Sequence, residues 1–276
     1  LIGAVVLYPA FELVRASVSR YSVTGLHQGA VGSLNYRRLF AQDALPTVVA
    51  NTLVWVVAVV GLTILISLVL AQLLDASFPG RRVVRWAVIV PWAASLIVTA
   101  KLFVWLYDYY FGAINHVLRS LRVTAQAVDW LGNDATVMGA MIAVGVFVSL
   151  PFTTYVLLAG LATIPGDVYE AARLDGASAW QTYRAVTLPL LAPAMLVATV
   201  LNLIYVFNSF PIVWTLNDRN PGFGHDTMVT YLYKIAFKSA LRDVGLAAAL
   251  GVLNVALVLL AVLVYLRTVR WQDAEA

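Results

Sequence analysis

Five stretches of this chain are both long and almost free of charge: residues 44–74, 86–107 (interrupted by Lys101), 135–166, 185–217 and 244–266. Each can form about 20 residues of helix, the length needed to cross roughly 30 Å of hydrocarbon. A sixth run, 1–13, is shorter and contains Glu12. It is expected to be the remainder of a first membrane helix. As core helices of a soluble protein these runs would leave too little to cover the outside: charged residues make up 12% of the chain, against about 25% in soluble domains. A membrane β-barrel would show short alternating segments in place of continuous apolar runs.

Small residues recur within the runs, among them Gly139, Ala140, Ala143 and Gly145. In lipid they let helix backbones approach closely. The expected fold is an all-α polytopic bundle in one transmembrane domain over residues 1–276. The chain has no cysteine, and so no disulfide. Its net charge of +4 is spread over loops and helix ends, which membrane topology explains without nucleic acid.

With six spans, Arg81, Arg82, Arg85, Arg173, Arg184, Arg267 and Arg270 share one side. Arg20, Arg37, Arg38, Arg119, Arg122, Arg219, Lys234 and Lys238 share the other. Totals do not choose between the two orientations. The compact cluster at 81–85 argues that its side is cytoplasmic. Lys101, well inside a run, is expected first to snorkel to the outer surface, with pairing to Asp108 or a place on the route as the alternatives.

The connector at residues 165–193 carries more signals than a reversal of direction needs. Pro165-Gly166 stops the preceding helix. Asp167 and Glu170, three apart, read as a capping box for a helix over 168–174, with Gly176 as its left-handed cap. Ser178 and Gln181 repeat the box for a second helix, whose Trp180, Tyr183 and Val186 form an apolar stripe. Pro189 kinks or ends it. Two readings stand at this point: an amphipathic hairpin lying on lipid, or a rigid knob docking into a partner through the small face of Ala171, Ala172 and Ala177. A DNA-binding helix-turn-helix has a similar outline, but this connector is anchored in the membrane and its only basic residues are Arg173 and Arg184.

The segment EAARLDGASAWQTYRAVTLP, residues 170–189, resembles the EAA motif of ABC importer permeases. Glu170-Ala171-Ala172, Gly176 and Leu188-Pro189 fall at the motif's spacing, with Val186 in place of its isoleucine. The chain as a whole is similar to binding-protein-dependent carbohydrate permeases of the maltose and glycerol-phosphate type. That resemblance implies a six-helix permease core with the connector and the C-terminus cytoplasmic. It implies that Glu170 contacts an ATPase subunit, that Gly176 permits the turn, and that Ala171, Ala172, Asp175 and Ala177 shape the docking surface. It also implies partners: a second permease forming a heterodimer, two ATPase subunits holding ATP and magnesium, and an extracytoplasmic solute-binding protein. No cofactor is expected in this chain.

A sugar route needs hydroxyl-matching polar groups and flat aromatic surfaces. The fifth run concentrates Asn202, Tyr205, Phe207, Asn208, Ser209, Phe210 and Trp214. By the resemblance, Phe207, Asn208 and Trp214 are the favoured pathway residues there. In the fourth run, Ser149 and Phe152 near Pro151 are added. Asn51 and Asn254 read as packing locks or route residues. Many members of the resembled family carry a Thr-x-Gly-Gly-Pro-like turn after the fifth span, where this chain reads LNDRNPG at 216–222, so no particular sugar is assigned. The 217–240 segment is expected to hold a surface or re-entrant helix around 229–237, suited to the binding protein.

Other functions fit less well. A channel wants a repeated filter. A secondary transporter often shows repeats and a coupling-ion site, and no acidic pair lies mid-span. An enzyme would need a cluster, yet His27, His116 and His225 lie far apart. No Walker A sequence is present. Within the importer reading, a different polar solute such as glycerol phosphate or a polyamine remains the alternative cargo.

Overall fold

The computed structural model describes residues 3–218, 222–238 and 242–268; Arg219 and Arg270 lie outside them. A π-helical turn, Gly3–Leu7, leads into α1 (Tyr8–Ser17). A two-stranded antiparallel ribbon follows, β1 (Ser19–Tyr21) with β2 (His27–Ala30), pairing Ser19 with Ala30. This ribbon is not foreseen in the all-α expectation. Then come α2 (Leu34–Phe40), α3 (Leu45–Asp75), α4 (Arg81–Ala93), α5 (Leu96–Leu106), α6 (Ala113–Ser120) and α7 (Val137–Leu161). The connector holds α8 (Gly166–Leu174) and α9 (Ala179–Thr182), the latter running on through a π-helical stretch, Tyr183–Thr187, into α10 (Leu188–Leu190). The chain continues with α11 (Ala192–Phe207), α12 (Phe210–Leu216), α13 (Met228–Tyr233) and α14 (Val244–Thr268).

Among the described residues, α3, α7 and α14 are each long and apolar enough to cross a membrane. A fourth crossing is counted if the bent pair 179–190 and 192–207 is one span. The 31 residues of α3 extend about 46 Å at ~1.5 Å each, more than the hydrocarbon thickness. The 86–107 run is not one rod. It breaks between α4 and α5, where Ser95 adopts an extended backbone (φ −60°, ψ 138°). The 185–217 run is bent by 65° after α10 and broken again at Asn208–Ser209.

The central helix is α7, with 61% of its apolar window buried against 33% for α3 and for α14. It reaches this position because its small residues admit close neighbours. A Cβ on Gly145 would lie 2.6 Å from Trp55 Cη2 of α3, and one on Gly160 would collide with Ala194 and Leu191 of the next span. Interhelical hydrogen bonds reinforce the contact, as is common in lipid. Trp55 Nε1 donates to Val206 O at 3.0 Å, Thr154 Oγ1 to Ser67 Oγ at 3.1 Å, and Tyr155 Oη to Arg85 O at 2.8 Å.

The core is layered along the bundle. Ala71, Leu74, Leu157, Leu161 and Leu191 pack at the end that carries the connector. Trp55, Val144, Val206 and Phe207 fill the middle. Leu45, Val48, Met228, Tyr231 and Leu246 close the far end. The bundle therefore places the connector at one end and the 222–238 segment at the other.

Candidate functional site

The connector folds as a hairpin of two short helices. Its first helix begins earlier than the sequence suggests. Pro165, extended at φ −62° and ψ 141°, is the N-cap, and no side-chain cap bond is made. The expected Asp167–Glu170 capping box is therefore absent. With the cap at Pro165, Asp167 already lies inside the first turn and cannot cap it. There its charge still faces the positive helix end, and Arg173 occupies the last turn. The preceding helix stops at Leu161, before Pro165.

The turn is a left-handed cap at Gly176, with φ +74°. Gly176 N donates to Arg173 O and Ala177 N to Ala172 O, both at 3.0 Å. This is the paired bonding of a Schellman motif. The second helix opens with the expected box: Ser178 N donates to Gln181 Oε1 at 2.8 Å, and Gln181 N to Ser178 Oγ at 3.4 Å. Thr187 Oγ1 donates to Tyr169 Oη at 3.4 Å, tying the arms together.

The hairpin thus caps its turn and second helix with its own groups and ties its arms together, and it leaves an outward face bare. Glu170, Ala171, Asp175 and Gly176 are exposed, Ala177 is half-buried, and Ala172 turns inward. Leu174 is 89% exposed and Trp180 67%, with the Trp180 ring 5.8 Å from that of Tyr183. Apolar side chains held out on a rigid tip are what a docking surface requires. Burial pushes the Tyr183 phenol above its usual range.

Midway along the bundle a cavity of about 320 Å³ is lined by Trp92, Ser149, Phe152, Asn202 and Tyr205, with Val148 and Leu201 completing it. Ser149 Oγ and Asn202 Nδ2 are both buried without a hydrogen-bond partner. A buried polar group left unmatched costs free energy, and here two such groups line one cavity among three aromatic rings. Among the described residues, no ionised side chain lines it. The arrangement can accept a neutral, hydroxyl-bearing molecule against flat apolar walls.

The sequence-predicted pathway residues divide. Ser149 and Phe152 line the cavity. Phe207 does not: it is 3% exposed in the middle core layer beside Val206. Asn208 is exposed just past α11, and its Nδ2 donates back to Ile204 O at 2.8 Å. Trp214 lies farther along, stacked on Phe210 at 5.5 Å and edge-on to Tyr233 at 4.8 Å. Asn202 and Tyr205 belong to the polar-aromatic cluster visible in the sequence, whereas Trp92 comes from a distant helix that no local pattern links to them. Lys101 is exposed on α5.

At the far end Trp214 joins a second cavity, of about 440 Å³, with Arg38, Asp218, Lys234, Lys238 and Asp243. The helix expected around 229–237 is present as α13 and a following π-helical turn, Lys234–Lys238. It is pinned by a buried carboxylate. Asp226, fully buried, pairs with Lys234 Nζ at 2.7 Å and accepts from Asn217 Nδ2 at 3.1 Å and Thr230 Oγ1 at 3.0 Å. Asn51 Nδ2 donates to Gly224 O at 2.7 Å, so this asparagine locks the segment to α3. Burial, and secondarily the Asp226 charge, raises the Tyr231 phenol. Among the described residues, no group of His, Asp or Glu could hold a metal ion.

The family described as "Binding-protein-dependent transport system inner membrane component" matches residues 63–274. A probable ABC transporter permease protein of Brucella suis is 39% identical over 97% of this chain and 92% of its own length. The trehalose/maltose transport system permease protein of Thermococcus litoralis is 34% identical over 88% of this chain and 80% of its own. The sulfoquinovosyl glycerol transport system permease protein of Agrobacterium fabrum is 29% identical over 99% and 88%. In fold, the chain is similar to a crystal structure of a bacterial ABC transporter involved in the import of the acidic polysaccharide alginate. The TM-score is 0.80 at 23% identity, covering 97% of this chain and 90% of that one.

Proposed function

The chain belongs to the family of binding-protein-dependent transport system inner membrane components, and from that premise we propose that it is the permease subunit through which an ATP-driven importer takes up a carbohydrate. The single observation that carries the coupling role is the self-capped hairpin with its bare tip of Glu170, Leu174 and Trp180. The proposed arrangement has two permeases, this chain and a second one, with two ATPase subunits that bind ATP and magnesium and an extracytoplasmic binding protein that delivers the solute.

In this reading the membrane is crossed six times. The crossings are α1 with the turn before it, α3, the broken pair α4–α5, α7, the bent α10–α12 segment, and α14. The hairpin and the C-terminus face the cytoplasm. Closure of the ATPase dimer moves the hairpin as a rigid piece through Glu170, Asp175 and the small residues Ala171, Ala172 and Ala177, with Gly176 holding the turn. The motion reaches α11 because α9, the π-helical stretch and α10 are continuous with it up to the bend.

The cargo reading rests on the cavity. Ser149 and Asn202 supply uncharged polar atoms, and Trp92, Phe152 and Tyr205 supply flat faces for a sugar ring. Phe207, Asn208 and Trp214 then act around that site: Phe207 packs behind it, and Trp214 lies toward the far-end cavity, on the side from which the solute arrives. The trehalose/maltose permease relative favours a neutral sugar over glycerol phosphate or a polyamine, as does the absence of charge in the cavity lining. The test is binding-protein-dependent ATPase activity of the reassembled importer. Glu170→Ala is expected to lose stimulation by loaded binding protein while the isolated ATPase stays active; intact stimulation would overturn the coupling role.

A further inference from the structure

Arg81, Arg82 and Arg85 frame a cleft of about 550 Å³ where α3 gives way to α4, with Ser77, Phe78 and Gly80 as its other walls. Part of their hydrogen-bonding capacity is spent on the end of α3. Arg81 Nη1 donates to Asp75 O at 3.1 Å and Ala76 O at 3.3 Å, and Arg85 Nη2 to Leu74 O at 3.0 Å. Each guanidinium has five N–H donors, so most remain. Arg85 Nε is buried and meets no acceptor, and Arg82 is exposed. No acidic residue occupies the first turn of α4.

A second, independent feature continues from the cleft. Val83, Trp86 and Val90, spaced along one face of α4, are 71%, 69% and 62% exposed. The opposite face packs through Val84 and Val88 against the core layer at that end of α7. A basic cleft opening onto a bare apolar stripe, with an indole between them, has the polarity of a phospholipid: anionic head above, acyl chain below.

We propose that this cleft holds the phosphate of an anionic phospholipid whose acyl chain lies along Val83, Trp86 and Val90. The lipid would complete the guanidinium donors that the α3 carbonyls leave open and so brace the α3–α4 junction beside the hairpin. Only the choice of leaflet rests on the cytoplasmic placement of the hairpin; the site itself does not.

The test is native mass spectrometry of the complete importer released from nanodiscs containing phosphatidylglycerol and phosphatidylcholine. Wild type is expected to retain phosphatidylglycerol preferentially. Arg82→Gln, an exposed change that breaks no backbone contact, is expected to lower that retention roughly fivefold, the share of one arginine at a charged surface, with phosphatidylcholine unchanged. Trp86→Ser is expected to lower retention of both. Equal retention in wild type and Arg82→Gln would overturn the site. So would protection of Arg82 from an arginine-modifying reagent by inorganic phosphate as effective as that by phosphatidylglycerol. A photo-crosslinker at Val90 should capture lipid; capture of the second permease there would also overturn it. Lipid captured there only from the outer leaflet would leave the site standing and count against the hairpin's cytoplasmic placement.

Discussion

The indole of Trp55 on α3 occupies the space that a side chain at Gly145 on α7 would need: a Cβ there would lie 2.6 Å from Trp55 Cη2 and 3.0 Å from Val59 Cγ2. Trp55 is itself fixed by its bond to Val206 O, so it cannot swing aside freely. Gly145→Val is expected to destabilise the bundle by about 1–3 kcal/mol, the usual cost of overpacking. Thermal unfolding of the detergent-solubilised importer checks this; an unchanged midpoint would mean that α3 and α7 separate more easily than their contact indicates.

Gly176 offers a cleaner case, because a Cβ there meets nothing within 4 Å and only the backbone at φ +74° objects. Gly176→Ala should cost about 1–2 kcal/mol locally and lower stimulated ATPase activity several-fold with assembly intact. Gly176→Asn, which tolerates left-handed geometry better, should retain more coupling than the alanine variant. Equal loss in both would point to side-chain exclusion by the partner.

Removing the orphaned amide from the mid-bundle cavity separates binding from folding. Asn202→Leu takes away a buried polar group that has no partner at Nδ2, so stability should hold or rise. Half-maximal sugar concentration for uptake should rise about tenfold, near the worth of one good hydrogen bond to a neutral group. Phe207→Leu, outside the cavity lining, should shift that concentration far less. Uptake titrations in vesicles decide, and the reverse ranking would move the pathway toward the sequence-favoured residues.

The far-end carboxylate predicts a non-additive pair. Lys234→Met leaves Asp226 charged and fully buried with its cation gone. That should cost about 3 kcal/mol or more, whereas Asp226→Asn added to it should recover much of the loss. Double-mutant thermal unfolding measures the difference. Additive losses would show the pair to be energetically independent.

Hydropathy located the straight helices closely, with 44–74 against Leu45–Asp75 and 244–266 against Val244–Thr268. It missed the break at Ser95, because apolarity says where lipid is tolerated, not whether the backbone is continuous. The bend at Leu191 did carry a signal, the proline two residues earlier at Pro189. Local caps were legible where one residue type is nearly obligatory, as at Gly176 and Ser178. The Asp167 cap was misread because Pro165 takes the cap position and shifts the frame by two residues. The cavity was half legible: Asn202, Tyr205, Ser149 and Phe152 stand out as polar or aromatic residues within spans. Trp92 reaches it only through packing between distant helices, and the β1–β2 ribbon follows from loop geometry that carries no hydrophobic signal.

The 65° bend after α10 turns the hairpin and α11 into the two arms of a bell crank. Its pivot is at Leu191, seated under Gly160 where no side chain intervenes. A push along one arm becomes a swing of the other. The 16 residues of α11 make that second arm about 24 Å long at ~1.5 Å per residue. A rotation of roughly 5° then carries its far end about 2 Å, and Asn202, nearer the pivot, by about two-thirds as much. That displacement is about half of a donor–acceptor distance. Under the proposed coupling, a small stroke at the tip would then be enough to make or break polar contacts across the cavity without unfolding either arm.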